Sequence, residues 1–372
     1  MVRDLARDFA QNEIAPRAEY YDQRAEFPYD IVAKMAELGF MGLPVPEEYG
    51  GAGADTLTYA LAVEEIARGD ASVGITMAAH TSLGTMPFLL FGSPEQKQRY
   101  VPPLASGEQL WAFGLTEPNA GSDAGATQTK AELRDGEWVV NGVKAFITNS
   151  GTRISGGVTI TAVTGSREEG KNEISNIIIP TGTPGYTVSK DYRKMGWRAS
   201  DTHELAFNDA RVQECNLLGP RGEGFRQFLQ ILDGGRISLA ALSVGLAQAA
   251  YDASYKYANE RVQFGQEIGK FQAIQFKLAD MATEIEMARL VTYKAAWLRD
   301  QGKDFRMAAG MAKLFAGETA TRCANHAVQI HGGYGVMEEF PVARYWRDVK
   351  IHEIGEGTPE IQRTVIARLL GL

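Results

Sequence analysis

Trp138-Val139-Val140-Asn141-Gly142 is a run of bulky and β-branched side chains that ends in turn-forming residues. Such side chains suit a pleated, half-buried surface, so the run predicts a strand with a turn after it. The same texture returns in Val158-Thr159-Ile160-Thr161 and Asn176-Ile177-Ile178-Ile179, with Gly, Pro, Asn and Asp clusters in between. Residues 110–219 therefore predict a β domain, barrel-like in form. Arg167-Glu168-Glu169-Gly170-Lys171-Asn172, between two of these strands, reads as an exposed hairpin tip.

On the N-terminal side the apolar spacing is helical: Leu5, Phe9 and Ile14, then Ile31, Val32, Met35 and Leu38. Pro44, Pro46 and Gly50-Gly51 break the series, which resumes over 57–67 and 73–91. Ser93-Pro94-Glu95 then reads as an N-cap, a proline at the first helical position and an acidic first turn. On the C-terminal side Phe271, Ile274, Leu278, Met281, Ile285, Ala288, Thr292 and Ala295 recur every three, then four, positions. That stripe predicts a bundle helix packed on other helices, within the chain or across a subunit interface.

A chain of 372 residues exceeds one compact core, so two or three subdomains with room for an internal ligand cavity are expected. Lys and Arg number 38 against 46 Asp and Glu, a net charge of -8, which disfavours nucleic acid as the main partner. Local arginines could still hold an anionic ligand. The longest weakly polar stretch, 237–251, is too short and too interrupted by Ser and Gln to enter a membrane, and Met1-Val2-Arg3-Asp4 opens no signal peptide. The expectation is a soluble, cytoplasmic protein, with a mature mitochondrial matrix form left open. Cys215 and Cys323 form no CxxC or Cys/His spacing, so no metal site or disulfide framework is expected, only buried or half-buried thiols.

Chemistry is concentrated in two stretches. In Ile354-Gly355-Glu356-Gly357-Thr358-Pro359-Glu360 a carboxylate sits between two glycines directly before a helix start. Glycine on either side permits positive φ and close approach to a ligand, and Thr358 can cap the helix that Pro359 begins. Glu356 is the candidate catalytic base, with a solvated acid at a helix entry as the plain alternative. The loop Phe113-Gly114-Leu115-Thr116-Glu117-Pro118-Asn119-Ala120-Gly121-Ser122-Asp123-Ala124-Gly125 could cradle a polar heterocycle through backbone N–H groups and the Thr116 and Ser122 hydroxyls, or satisfy its own hydrogen bonds.

With Lys144-Ala145-Phe146-Ile147-Thr148-Asn149, Arg261-Val262-Gln263-Phe264-Gly265 and Gln329-Ile330-His331-Gly332-Gly333-Tyr334-Gly335, these stretches resemble the acyl-CoA dehydrogenase family in order and spacing, over essentially the whole chain. The resemblance implies an N-terminal α-helical domain over 1–109, a middle β-barrel domain over 110–220 and a C-terminal four-helix bundle with the catalytic turn over 221–372, assembled as a homotetramer. It further implies that Phe113, Leu115, Thr116, Ser122, Phe146 and Thr148 line the FAD isoalloxazine, with Thr358 and Glu360 touching the same flavin. Arg261, Phe264, Gln272, Gln329 and Gly333 match positions that contact the FAD of a neighbouring subunit. Phe146 stands where many relatives carry tryptophan, and Glu360 where glutamine is frequent.

The implied reaction is FAD-dependent α,β-dehydrogenation of an acyl-CoA to the trans-2-enoyl-CoA, as in fatty-acid β-oxidation or branched-chain amino-acid catabolism. Glu356 would take the α-proton, flavin N5 the β-hydride, and an electron-transferring flavoprotein would reoxidise the cofactor. Some relatives carry the base on an earlier helix, here Leu232-Asp233-Gly234-Gly235-Arg236, but Gly235 cannot serve. The likeness is thus to the short-, medium- or short-branched-chain branch. Ser122, Asp233, Arg236 and Gly357 are the expected substrate contacts, although Asp233 and Arg236 could be a surface i,i+3 pair. His331, His352 and Glu353 are expected to be structural. The competing readings are an acyl-CoA oxidase, a class generally longer than this chain, and a non-catalytic acyl-CoA-binding or assembly relative.

Overall fold

The computed structural model describes residues 1–166 and 172–372; residues 167–171, on which the hairpin-tip reading falls, lie outside the described residues. Helices α1 (Val2–Phe9), α2 (Ala18–Arg24), α3 (Tyr29–Glu37), α4 (Thr56–Gly69), α5 (Ala71–Ala79), α6 (Met86–Phe91) and α7 (Pro94–Ala105) make up the N-terminal part. Local chemistry sets their starts: the Asp55 side chain accepts the Thr58 N–H at the head of α4 (2.7 Å), and Ser93 and Gln96 form a reciprocal capping box on α7. The inward stripe of α1 is Ala6, Phe9 and, past its end, Ala10 and Ile14. Leu5 and Leu38, expected on apolar faces, lie exposed at the margins of their helices.

With the π-helical turn His80–Thr85, α5 and α6 form one helical run, Ala71–Phe91, long and apolar enough to cross a membrane. Most of its apolar window (78%) is buried in the protein, where it serves as a core helix. This run, rather than 237–251, is the most membrane-like stretch of the described residues.

The middle part is β: β1 (Leu110–Gly114), β2 (Lys130–Arg134), β3 (Glu137–Thr148), β4 (Ser155–Ser166), β5 (Asn172–Pro180), β6 (Tyr186–Val188), β7 (Thr202–Gln213) and β8 (Leu217–Leu218). The hydrogen-bonded order is β6-β7-β3-β2-β4-β5-β8, with β1 parallel to β4, and β6 and β8 are the two ends. Trp138, Val140, Ile147, Ile160, Ile177 and Phe207 fill its core.

Five helices complete the chain: α8 (Gly224–Glu260), α9 (Gln272–Asp300), α10 (Arg306–His331), α11 (Pro341–Ile354) and α12 (Pro359–Leu369), with a hairpin of β9 (Val262–Gln263) and β10 (Gln266–Glu267) between α8 and α9. α10 packs against α8, α9, α11 and α12. α8 also lies on α4, so closely that a Cβ at Gly245 would stand 2.1 Å from the Glu64 carbonyl oxygen. The α9 stripe buries Met281, Ile285, Ala288, Thr292 and Ala295 and leaves Ile274 and Leu278 half-buried, while Phe276, Met287, Leu290 and Trp297 stand exposed. Cys323 is buried, but Cys215 is exposed, because it follows the surface end of β7.

α11 is fixed by all three parts at once. Arg347 pairs with Asp22 of α2, and Asp348 accepts the N–H of Trp197 from the β part at 2.7 Å. The chain beyond α11 therefore starts from an anchored helix end.

Candidate active site

α11 stops at Ile354, the backbone reverses, and Thr358 starts α12 by accepting the Ile361 N–H on its side chain (3.4 Å). Only one of the flanking glycines is left-handed: Gly357 has φ 97° while Gly355 is at −62°. Glu356 itself carries the other positive φ, 54°, a conformation that costs a non-glycine residue roughly 1–2 kcal/mol. The turn is held from inside. Lys313 Nζ of α10 donates to the carbonyls of Glu353 (2.9 Å) and Gly357, and Gln362 Nε2 donates to those of Gly357 (3.1 Å) and Glu356 (3.3 Å).

The Glu356 side chain runs inward. The residue as a whole is half-buried, but its Oε2 is buried and has no hydrogen-bond partner. It lies against α8 at Gly235, where a Cβ would stand 2.3 Å from Oε2 and 3.4 Å from Leu83 Cδ2. The alternative base position on α8 and the Glu356 carboxylate thus converge on one spot, and the missing side chain at 235 leaves room for the acid from 356. Burial pushes the Glu356 carboxyl up to about 7, against the downward pull of the Lys313 and Arg236 cations. A buried carboxyl that titrates near neutrality and spends no hydrogen bond on the protein is free to exchange a proton with a ligand.

The next residue of α8, Arg236, pairs with Asp233 one turn back; the pair is enclosed rather than on the surface, and Arg236 Nε has no partner. On the β side, Phe113 of β1 stacks parallel to Phe228 of α8 with ring centroids 6.0 Å apart. The carbonyls of Leu115 and Thr116 accept from Lys144 Nζ (3.1 Å) and the Ala145 N–H (2.8 Å), which docks the loop on β3. Its base is pinned harder by Glu117, whose carboxylate accepts from Lys144 Nζ at 2.7 Å and from the N–H groups of Gln128 and Thr129. Ser122 is exposed further along the loop, and Thr148 is half-buried at the end of β3. Phe146 presents an exposed ring (65%) from a left-handed backbone.

A second group gathers elsewhere. Arg261, Gly333, Tyr257, His331 and Tyr334 line a surface cleft of about 580 Å³, with the Arg261 guanidinium 5.5 Å from the Tyr334 ring centre. None of the expected flavin-ring residues lines this cleft. Phe264 is 94% exposed, and Gln272 and Gln329 are exposed as well. Glu360 is exposed in the first turn of α12, where a hydrogen bond from the Thr358 side chain holds its carboxyl below the usual range. Among the described residues eight non-glycines have positive φ, and three of them, Phe146, Phe264 and Glu356, are expected site residues. Strain of this kind collects where function fixes the backbone.

Three further acid and imidazole groups have structural partners. Glu353 pairs with Lys350 (2.6 Å), His331 Nδ1 meets the Ala327 carbonyl at the wall of the cleft, and the buried His352 meets Ser243 Oγ through Nδ1 (3.0 Å) while its Nε2 has no partner. Asp191, Asp201 and His203 also come together, but the His203 ring bonds Asp201 and the Ser189 carbonyl, and Asp201 accepts the Gly151 N–H. Sequence reading gave no role to Lys313, Gln362 or the Glu117–Lys144 pair. The one available signal for Lys313 is a lone cation within the small and apolar stretch 308–317.

The flat exposed face of Phe146, the docked loop beside it and the Arg261 cation at the wall of an open cleft are groups that fit a flavin ring and a phosphate. Residues 1–108, 112–210 and 222–371 match, in that order, the N-terminal, middle and C-terminal domains of acyl-CoA dehydrogenases. The chain belongs to the acyl-CoA dehydrogenase family. It is 58% identical over 370 residues to a probable acyl-CoA dehydrogenase of Bacillus subtilis, spanning 100% of this chain and 97% of the relative. It is 47% identical to the short-chain specific mitochondrial acyl-CoA dehydrogenase of Rattus norvegicus, across 99% of this chain and 88% of the other. The structure of butyryl-CoA dehydrogenase from Megasphaera elsdenii superposes with a TM-score of 0.96 at 43% identity, covering 100% and 97% of the two chains. This acyl-CoA dehydrogenase is accordingly an FAD-containing oxidoreductase with acyl-CoA as its substrate class, and fatty-acid β-oxidation fits it.

Proposed function

We propose that the enzyme removes the α and β hydrogens of a short-, medium- or short-branched-chain acyl-CoA to give the trans-2-enoyl-CoA, with Glu356 as the base for the α-proton. The observation that carries this is the unpartnered, buried Glu356 Oε2 on a strained turn, with its carboxyl raised to about 7. An ordinary carboxylate is too weak a base for an α-proton, and a fully hydrogen-bonded one is unavailable. Bound FAD supplies the hydride acceptor. Phe113, Leu115, Thr116, Ser122, Phe146, Thr148, Thr358 and Glu360 would hold its ring, while Ser122, Asp233, Arg236 and Gly357 would orient the thioester and coenzyme A portion. The backbone N–H at the turn is the natural donor to the thioester carbonyl as negative charge builds there.

Arg261, Phe264, Gln272, Gln329 and Gly333 would reach the FAD of a second subunit in a homotetramer. The near-complete exposure of Phe264 and the exposed apolar face of α9 support that assembly. An electron-transferring flavoprotein is the proposed electron acceptor and the cytoplasm the proposed location. Relatives named for short-chain and butyryl-CoA activity favour a short acyl group.

The test is anaerobic bleaching of the yellow holoenzyme by acyl-CoAs of graded length and branching. Butyryl-CoA or a short branched acyl-CoA should bleach it fastest. Glu356→Gln should retain the flavin and lose bleaching by at least about 10²–10⁴-fold; normal reduction of that variant would put the base elsewhere.

A further inference from the structure

Lys313 sits in the N-terminal half of α10, almost wholly buried. Its ammonium is spent on two backbone carbonyls, those of Glu353 and Gly357, which bracket Glu356 along the chain. Burying a cation carries a desolvation cost that an apolar side chain of the same length would avoid. Burial accordingly draws the Lys313 ammonium down to about 8, opposed by Glu356, Glu353 and Glu360 and assisted by Arg236. The charge is set where it both bonds the end of α11 and faces Glu356.

The groups that face Glu356 come from several elements. Arg236 approaches from α8 and Lys313 from α10, and the Tyr59 hydroxyl of α4 lies within electrostatic reach. His352 of α11 is kept neutral by burial and by Lys313, its pKa lowered to about 3. Arg236 is already committed to Asp233. Lys313 is the cation whose position depends on the turn itself.

We propose that Lys313 is a positioning residue for the reaction: it clamps the left-handed turn that carries Glu356 and supplies the positive charge that keeps this carboxylate able to ionise. The role rests on the reading of Glu356 as the base. Without the clamp, the positive φ at 356 has less to hold it; without the charge, a buried carboxyl lacking hydrogen bonds stays protonated and cannot accept the α-proton.

The proton on Glu356 can be followed directly in the holoenzyme, as the carboxylic-acid band in infrared difference spectra against Glu356→Gln, over about pH 5 to 9. In Lys313→Met the midpoint should rise by about one unit, which lowers the ionised fraction at pH 7 about fivefold and moves the pH profile of anaerobic bleaching upward by the same amount. Lys313→Arg retains the charge and should titrate near the parent. Should Lys313→Met not fold, Lys313→Gln keeps one donor without the charge and should show the same rise. A folded Met or Gln variant whose midpoint is unchanged or lower overturns the proposal and leaves Lys313 a structural strut. Because the midpoint is read without turnover, that result is separate from full activity of Glu356→Gln, which would sink the base assignment instead.

Discussion

Two glutamates in this chain with enclosed carboxylate oxygens lie near buried lysines and end in opposite states. In the β part, Glu117 and Lys144 are in direct contact at 2.7 Å, with side chains 4% and 0% exposed, and the same carboxylate takes two backbone N–H groups. Burial opposes its ionisation, but the Lys144 charge and these bonds outweigh it and hold the Glu117 carboxyl below its usual range. In the C-terminal part, Glu356 has an empty Oε2, its lysine bonds the backbone instead, and its carboxyl rises to about 7. Burial and a nearby cation are common to both. What separates a structural acid from a reactive one is whether the protein has already filled the lone pairs.

The largest effect on stability should come from breaking the filled pair. Lys144→Met leaves an uncompensated buried carboxylate and should destabilise the protein by about 3–5 kcal/mol, read as a lower denaturation midpoint. Adding Glu117→Gln should recover a large part of that loss, since the unpaired charge and not the missing contact is responsible. If the double variant were as unstable as the single one, the distinction between filled and unfilled acids would lose its energetic basis.

Only the Glu356 side of this contrast was legible in the residues, together with the elements around it. Thr358-Pro359 encodes its helix start locally, and the stripe from Met281 to Ala295 encodes a buried face. Glu356 stood out because glycines flank it, although the strain falls on Glu356 itself and Gly355 is ordinary. What was not legible is what tertiary packing delivers. Lys313 lies 44 residues from Gly357 and reaches it only because α10 packs against α11 and α12. The exposure of Leu5 and Cys215 was not foreseen, because an apolar residue at a helix margin, or a thiol just past a strand's end, reads the same as a core one until the neighbours are placed.

A smaller effect should sharpen the reactive side. Gly235→Ala places a methyl 2.3 Å from where Glu356 Oε2 lies and 3.4 Å from Leu83, so the carboxylate must swing away. Flavin content and thermal stability should change little, while the anaerobic bleaching rate should fall about 10²-fold, as expected when a reacting group is displaced by about 1 Å. Unchanged bleaching would mean that the carboxylate leaves this spot before it reacts.

The smallest expected effect carries the clearest sign. A carboxyl raised from its ordinary 4.5 to about 7 in the folded protein binds its proton more tightly there than in the unfolded chain. Its contribution is fully present below pH 4.5, is lost as pH rises to about 7, and stays lost above. Glu356→Gln removes that loss, so its Tm should equal the parent's near pH 4 and exceed it by about 1–3 °C near pH 8. Glu117 has the opposite sign, because its folded carboxyl is lowered: its contribution is present at neutral pH and fades on acidification. Neutralising one acid should therefore help at high pH and neutralising the other should hurt there. Parallel melting curves for parent and Glu356→Gln at every pH would mean that the Glu356 carboxyl is solvated in the folded protein, and the proposed base would be an ordinary acid.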